Sequence, residues 1–210
     1  MTGQLDQKAW TARPDDVPTI TMLLTAVALF DPVAEWLVPD RQQRRTVLHR
    51  LIGVQVDHAV ARGDVTILGH MTAIAVWHPY PHTTPWTTPH QHDLGPAAGR
   101  AAVRFQQLLQ TVDSYRSAAA HDWLSWLWVR PTHRGRGLGR HLLDHRHHTV
   151  DQHTHPIDTV VTTTGARDAL TACGYHPDTP LHLPGGPRLW PLRRNGRPPT
   201  AHHQSTTPAS

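Results

Sequence analysis

Residues 126–143 read WLWVRPTHRGRGLGRHLL. Gly135, Gly137 and Gly139 occupy alternate positions, with Arg134, Arg136 and Arg140 among them. Glycine lets a backbone approach a ligand closely and take a positive φ. An apolar, aromatic strand precedes the run, and a helix beginning at Gly139 and reaching His148 follows it. At such a junction the first helical N–H groups are unpaired and lie at the positive end of the helix dipole. The chemistry is anion binding, with successive N–H groups pointing one way as a nest.

Spacing narrows the anion. A dinucleotide loop needs G-x-G-x-x-G near the start of a βαβ unit, with an acidic residue about 20 positions on; here the spacing is G-x-G-x-G and the run lies late. A P-loop ends in Gly-Lys-Ser/Thr, and this stretch has no lysine. Single-stranded nucleic acid wants aromatics exposed beside the basic loop, whereas the tryptophans here lie within a strand.

Other residues with chemical potential are fewer. His121 and Asp122 stand where the strand before the glycines begins, and read as polar residues starting it in solvent. His141, His145 and His148 share a helix face at i, i+4, i+7, a possible zinc or nickel spacing. No acidic or cysteine partner is fixed near them, so the expectation is a solvated face and no metal. Cys173 reads as a small buried filler. Trp123, Trp126 and Trp128 read as core, with Trp123 and Trp77 as alternative linings of a pocket.

The elements that must position these groups follow from periodicity. Asp15, Asp16 and Pro18 open a helix carrying Ile20, Leu23, Leu24 and Val27, which Asp31-Pro32 stops. Asp40 and Gln43 resemble a capping box for a second helix with a face of Leu48, Leu51, Ile52 and Ala59, ended by Gly63. Two strands follow, Val65–Leu68 and Thr72–Trp77. The Pro-, Thr- and His-rich residues 78–96 read as a long loop. Residues 97–118 read as a helix with a stripe of Ala101, Phe105, Leu108, Val112 and Tyr115. HDWLSWLWV is a central strand, IDTVVTTT another, ARDALTAC a short helix, and two last strands flank Pro184-Gly185-Gly186. Residues 1–9 read as a flexible terminus, 10–194 as one domain and 195–210 as a disordered tail.

Composition bounds the class. The chain has 210 residues, 38% hydrophobic, with Lys+Arg 20 against Asp+Glu 16, 19 histidines and one cysteine. No run approaches the ~20 apolar residues of a membrane span, and the amino end shows no apolar segment of a signal peptide. With a single cysteine, no intramolecular disulfide can form. The expectation is a cytoplasmic protein with neither membrane nor nucleic-acid partner. The net charge of +4 rests on scattered arginines rather than the single patch of a nucleic-acid binder. Abundant Arg, His, Pro and Thr with one lysine is also the signature of a GC-rich coding sequence.

Val129, Pro131, Arg134, Gly137 and Gly139 fall in order on a strand ending V-x-P and then Q/R-x-x-G-x-G/A opening a helix. This resembles the acetyl-CoA pyrophosphate loop of the GNAT N-acetyltransferase family. Residues 13–51, TTTGARDAL and LPGGPRLWPLRR resemble the actinobacterial branch that includes puromycin N-acetyltransferases. The resemblance implies an α+β fold of three-layer α/β/α type: a mixed, splayed central sheet of about seven strands flanked by helices. It implies acetyl-CoA as cosubstrate, held by Leu127, Trp128, Val129, Arg134, Gly135, Arg136, Gly137, Leu138, Gly139 and Arg140. It also implies a general base, direct or through water, where the strand before the glycines begins, which makes His121 and Asp122 the candidates. The acceptor would be the primary amine of a small molecule, attacking the thioester directly, and the protein a monomer or homodimer. The acceptor pocket would be built from the first two helices, the 78–96 loop and the 97–118 helix. The family's general acid is usually a tyrosine four residues before a Gly-aromatic pair; with Gly174-Tyr175 as that pair, the position holds Leu170. The alternative is therefore a degenerate module that binds acetyl-CoA without transferring its acetyl group.

Overall fold

A computed structural model describes residues 8–80, 89–117 and 119–196. Eight strands form one sheet: β1 Ala9–Thr11, β2 Val65–Leu68, β3 Ala73–Tyr80, β4 His121–Val129, β5 Ile157–Val161, β6 His176–Pro177, β7 Leu181–His182 and β8 Arg188–Arg194. Their order is β1-β2-β3-β4-β5-β8-β6, with β7 also on β8. Every pairing is antiparallel except β4 with β5. Among the described residues, seven α-helices cover it: α1 Val17–Ala28, α2 Pro32–Leu37, α3 Arg41–Ala61, α4 Pro89–Ala98, α5 Ala102–Asp113, α6 Leu138–Asp151 and α7 Thr164–Thr171. This is the mixed α+β architecture expected, with one strand more.

Alternation on β3 divides the core in two. Ile74 and Val76 face α1, α3, α4 and α5 with Ile20, Leu24, Leu51, Val56 and Phe105; Ala75 and Trp77 face α6 with Leu138, Leu142 and Leu143. A third cluster, Val33, Leu183 and Leu189, with Val160 and Leu108 against it, seals α2 to the β7–β8 hairpin. Burial on both faces is why β3 and β4 read as near-continuous apolar runs.

Local signals set the helix ends. The Asp31 side chain accepts from the Val33 N–H at 2.8 Å and caps α2, so the residue expected to stop one helix also starts the next. The Asp40 side chain accepts from the N–H groups of Gln42 and Gln43 at 2.8 and 3.4 Å and caps α3. Gly63, at φ +76°, closes α3 in the left-handed region.

Three expectations are corrected. Ala9 and Trp10 pair with Leu68 and Ile67, so ordered structure already includes Ala9; residues 1–7 lie outside the described residues. The stretch 78–96 is not one long loop. β3 runs on to Tyr80, and α4 takes up Pro89–Ala98. Pro79 is tolerated because β2 stops pairing at Val76, which leaves that edge of β3 free of a ladder at Pro79. Pro89 sits at the first turn of a helix, where its missing N–H costs nothing. Only 81–88 of that stretch, together with Ala118 and 197–210 of the expected tail, are outside the described residues. Finally, the helix expected over 97–118 is shorter: a 3-10 turn at Gly99–Ala101 separates α4 from α5, which ends at Asp113.

Candidate active site

The glycine run folds as its composition dictates. After β4 the Arg130 N–H bonds the Thr72 carbonyl at 2.8 Å, and Pro131–His133 makes one 3-10 turn. Gly135 and Gly137 then take φ +75° and +77°, and Gly137 is the N-cap of α6. An added Cβ at Gly135 or Gly137 would meet nothing within 4 Å, so left-handed conformation, not crowding, selects glycine there. At Gly139 the reason differs: a Cβ would lie 3.5 Å from Val129 Cγ2 and 3.8 Å from Leu127 Cδ2, which seats α6 against β4. Leu138, 3% exposed, pins the helix start into the core.

The first intrahelical bond of α6 runs from the His141 N–H to the Gly137 carbonyl at 2.9 Å. It leaves the N–H groups of the first turn free for an anion. Arg134, Arg136 and Arg140 are exposed around them. Arg134 Nε donates to the Val129 carbonyl at 3.4 Å, and Arg140 Nη2 to the Ala172 carbonyl, so two of the three are partly committed to the fold.

Beside this loop the sheet opens. β4 and β5 pair only at Asp122–Ile157 and Trp123–Asp158, and Thr159 Oγ1 donates to the Leu124 carbonyl at 2.8 Å. Beyond that link the ladder ends, and the edge of β4 at Leu127–Val129 is left without a strand partner toward β5. A bulge accompanies the opening. Val76 pairs with Trp126 and Trp77 with Leu124, so Ser125 is extra. In consequence Leu124 and Leu127, three residues apart, both face α6, whereas strict alternation would oppose them. Trp126 is turned to the other face, where its indole N–H donates to Gln55 Oε1 of α3 at 3.1 Å. Across the opening, Thr162 Oγ1 donates to Asp31 Oδ2 at the start of α2.

The structure thus brings together Leu127, Trp128, Val129 and the run Arg134–Arg140, with Trp128 turned into the core at 6% exposure. His121 and Asp122 lie at the opposite, paired end of β4. His121 is 3% exposed, stacks on Tyr80 with centroids 5.1 Å apart, and places Nδ1 2.8 Å from the Ala119 carbonyl. Burial lowers its pKa. Asp122 faces α6 and accepts from Arg146 Nε at 2.7 Å.

Arg146 also reaches Asp64 Oδ1 at 3.9 Å, and Arg62 reaches Asp64 Oδ2 at 3.6 Å. Burial nevertheless wins at Asp64 and raises its pKa from 3.8 to about 6, against the pull of both arginines. A carboxyl whose folded pKa is raised stabilises the fold when protonated. That stabilisation is complete below about pH 4 and is lost as pH rises through about 6. Urea midpoints should therefore show Asp64→Asn gaining on the parent as pH rises through that window, and matching it below.

The remaining candidates are sorted by burial. Leu170 is 4% exposed and packs in the α6 cluster with Tyr175. Tyr175 is fully buried, its hydroxyl 3.1 Å from His147 Nε2, and burial raises its pKa, so it is not placed to protonate a leaving thiolate. Trp77 is fully buried and packs against α6. His141, His145 and His148 are exposed on α6, while His147, which periodicity did not single out, is the buried one. A cavity of about 850 Å³ lies between Val38, Thr46 and Arg50 on one side and Arg100, Val103 and Arg104 on the other. It involves the helices expected to bind an acceptor but sits at the far end of α2 from the β4–β5 opening.

The comparisons agree with this geometry. No curated protein matches the chain. Among solved structures, it is similar to a Corynebacterium glutamicum protein described as histone acetyltransferase HPA2 and related acetyltransferase: 20% identity over 93% of this chain and 99% of that chain, TM-score 0.69. It is also similar to the Drosophila melanogaster polyamine N-acetyltransferase, at 14% identity over 90% and 100% of the two chains, TM-score 0.63. Arylalkylamine N-acetyltransferase 2 from Aedes aegypti follows at 11% identity over 90% and 98%, TM-score 0.59. Identities this low speak for the fold alone. The model of the acetyltransferase (GNAT) family, however, matches residues 31–175, spanning α2, the bulged β4, the glycine loop and the parted strands. On that match, the chain belongs to the GNAT acetyltransferase family.

Proposed function

We infer that the protein transfers the acetyl group of acetyl-CoA to the primary amine of a small molecule, by direct attack in a ternary complex. The observation that carries this reading is the coincidence of two features on one strand. The left-handed glycines and free N–H groups of the α6 start suit a pyrophosphate. The unpaired edge of β4 beside them suits the amide groups of a pantetheine arm, which can hydrogen-bond there as an added strand would. Leu127, Val129 and Arg134–Arg140 would hold the cosubstrate, and a backbone N–H near Leu127 or Trp128 would polarise the thioester carbonyl as charge develops on its oxygen.

The amine enters neutral, its nitrogen bonds the carbonyl carbon, the carbon–sulfur bond breaks, and the proton the nitrogen sheds passes, directly or through water, to the departing sulfur. The thiol leaving group is itself fairly acidic, with a free pKa near ~8.5, so loss of the usual tyrosine at Leu170 is compatible with turnover. The acceptor approaches from the face of α1, α2, α3 and α5, opposite α6. The solved relatives described as acting on a polyamine and on arylalkylamines, and the likeness to the puromycin-type branch, both support a small amine.

The second reading, a sensor that binds acetyl-CoA without transfer, is favoured by Leu170 alone. Free thiol release from acetyl-CoA, followed while a panel of small amines is added, separates the two. Release with an amine supports transfer; a raised melting temperature with acetyl-CoA but no release supports the sensor.

A further inference from the structure

From Val17 to Phe30, through α1 and the turn after it, no side chain is charged. Ile20, Leu24 and Ala28 pack into the core, while Met22, Ala26, Val27 and Phe30 face outward. Met22 is 56% exposed, Val27 40% and Phe30 74%, three of the four large apolar side chains exposed among the described residues. A surface helix carries polar or charged residues on its outer face, and one that is apolar all round is covered. Apolar side chains gathered on one face mark an interaction surface, whereas scattered ones do not.

The two ends of this face carry opposite charge. α1 runs antiparallel to α3: the Leu29 carbonyl accepts from Arg44 Nη1 at 3.1 Å, and a Cβ at Gly53 would lie 3.6 Å from Thr21 Cγ2. Asp15 and Asp16 stand at the start of α1, with Arg13 before them and Asp57 of α3 one turn past Gly53 at the same end. At the other end Phe30 shares a surface hollow with Arg41, Arg44 and Arg45. Arg44 is paired with Glu35 at 3.1 Å, and Asp40 caps α3. Arg41 and Arg45 are exposed, and among the described residues no ion pair reaches them or Asp15, Asp16 and Asp57.

Such a face complements itself. A two-fold axis across the middle of α1 turns the acidic end of each copy onto the arginines of the other. Met22, Ala26 and Phe30 are spaced by four and form one ridge. With the axis at Ala26, Met22 of each copy meets Phe30 of the other, a favourable sulfur–aromatic contact. The small Ala26 side chains let the helices approach. A partner of one charge sign would match only one end, and a membrane surface would take up the acids poorly. We propose that this face joins two copies of the chain through an antiparallel pairing of α1 with α1. The pairing concerns assembly and is independent of the acetyltransferase reading. A helix of 12 residues is about 18 Å long. It covers less than the roughly 800 Å² per partner of a standard interface, so the expected dissociation constant is micromolar rather than nanomolar.

Sedimentation equilibrium of the full chain tests this, from micromolar to several hundred micromolar protein. The mass should rise with concentration from 23.5 kDa toward that of a dimer. Ala26→Glu keeps a good helix former at an exposed site but sets two carboxylates at the axis. It should weaken dimerisation at least about 100-fold, with an unchanged far-ultraviolet circular dichroism spectrum. Asp15→Arg, and separately Arg41→Glu with Arg45→Glu, should each dimerise roughly three- to tenfold more weakly alone. Mixed together, these two variants should pair more tightly than either does by itself, because each then meets its opposite charge. A parent that stays at 23.5 kDa overturns the proposal, and its sedimenting on phosphatidylcholine vesicles would assign the face to a membrane instead. A dimer that survives Ala26→Glu, or reversed variants that pair no better mixed than alone, also overturns it.

Discussion

Gly137→Glu should abolish acetyl-CoA binding while leaving the sheet folded. Gly137 holds φ +77° as the N-cap of α6, a conformation that costs a side-chain-bearing residue about 1–2 kcal/mol. The new carboxylate would also stand among the N–H groups that face the pyrophosphate. Two like charges ~4 Å apart repel by about 4 kcal/mol at the effective dielectric of a protein surface. With 1.4 kcal/mol per decade, affinity should fall at least about 100-fold. Gly137→Ala separates the two causes. Its Cβ would meet nothing within 4 Å, so it should carry the strain as a lower melting temperature and bind acetyl-CoA within about tenfold of the parent. Calorimetric titration of both variants measures this. Equal binding by Gly137→Glu would mean that the loop does not hold the pyrophosphate.

Arg146→Met should be the most destabilising single substitution on the α6 face. Arg146 bonds Asp122 at 2.7 Å, lies 3.9 Å from Asp64 and sits 5.7 Å from the centroid of the Trp77 ring. The side chains of Asp122 and Asp64 are only 8% and 10% exposed, so removing the cation leaves two acids close together and largely out of water. Breaking a buried pair from one side costs about 3–5 kcal/mol. For a chain of this size that lowers the melting temperature by roughly 6–20 °C. Arg146 is a cation that holds the Asp64 pKa down against burial, so without it Asp64 favours protonation more strongly and the deficit should shrink as pH falls toward 4. A deficit that grows at low pH would contradict the cluster as described.

What could be read from sequence depended on how local each cause is. The glycine loop was legible because its requirements lie within a dozen residues: a strand, a proline, glycines at positive φ and a helix start. Asp40 and Gly63 were legible as the ends of α3 for the same reason. The bulge at Ser125 was not, because it is a property of the pairing with β3, and HDWLSWLWV reads as apolar on both faces whether or not it is bulged. The end of β3 and α4 were hidden because Pro79, Pro89 and Pro96 read as breakers; Pro79 falls beyond the β2–β3 ladder and Pro89 at a helix start. His147 was masked by its exposed neighbours on α6, since its buried partner Tyr175 lies 28 residues on. Asp31 carried a capping signal and nothing more, because its second partner is Thr162.

At the candidate site, the loop proposed to hold a cosubstrate was therefore legible as local structure, and the part proposed to meet an acceptor was not. His121 and Asp122 had sequence position in their favour, at the start of β4. The fold has those strands paired at that end and parted at the other, and it binds Asp122 to Arg146. The side-chain bonds of Gln55 with Trp126 and Asp31 with Thr162 join residues 71 and 131 apart, beyond any local pattern.

The most direct measurement is the initial rate of free thiol release from saturating acetyl-CoA with a small primary amine, in the parent and in Gly137→Glu. The parent should show amine-dependent release, matched mole for mole by acetylated amine, and the variant none above background. Release that is independent of amine, or undiminished in Gly137→Glu, would contradict acetyl transfer at this site.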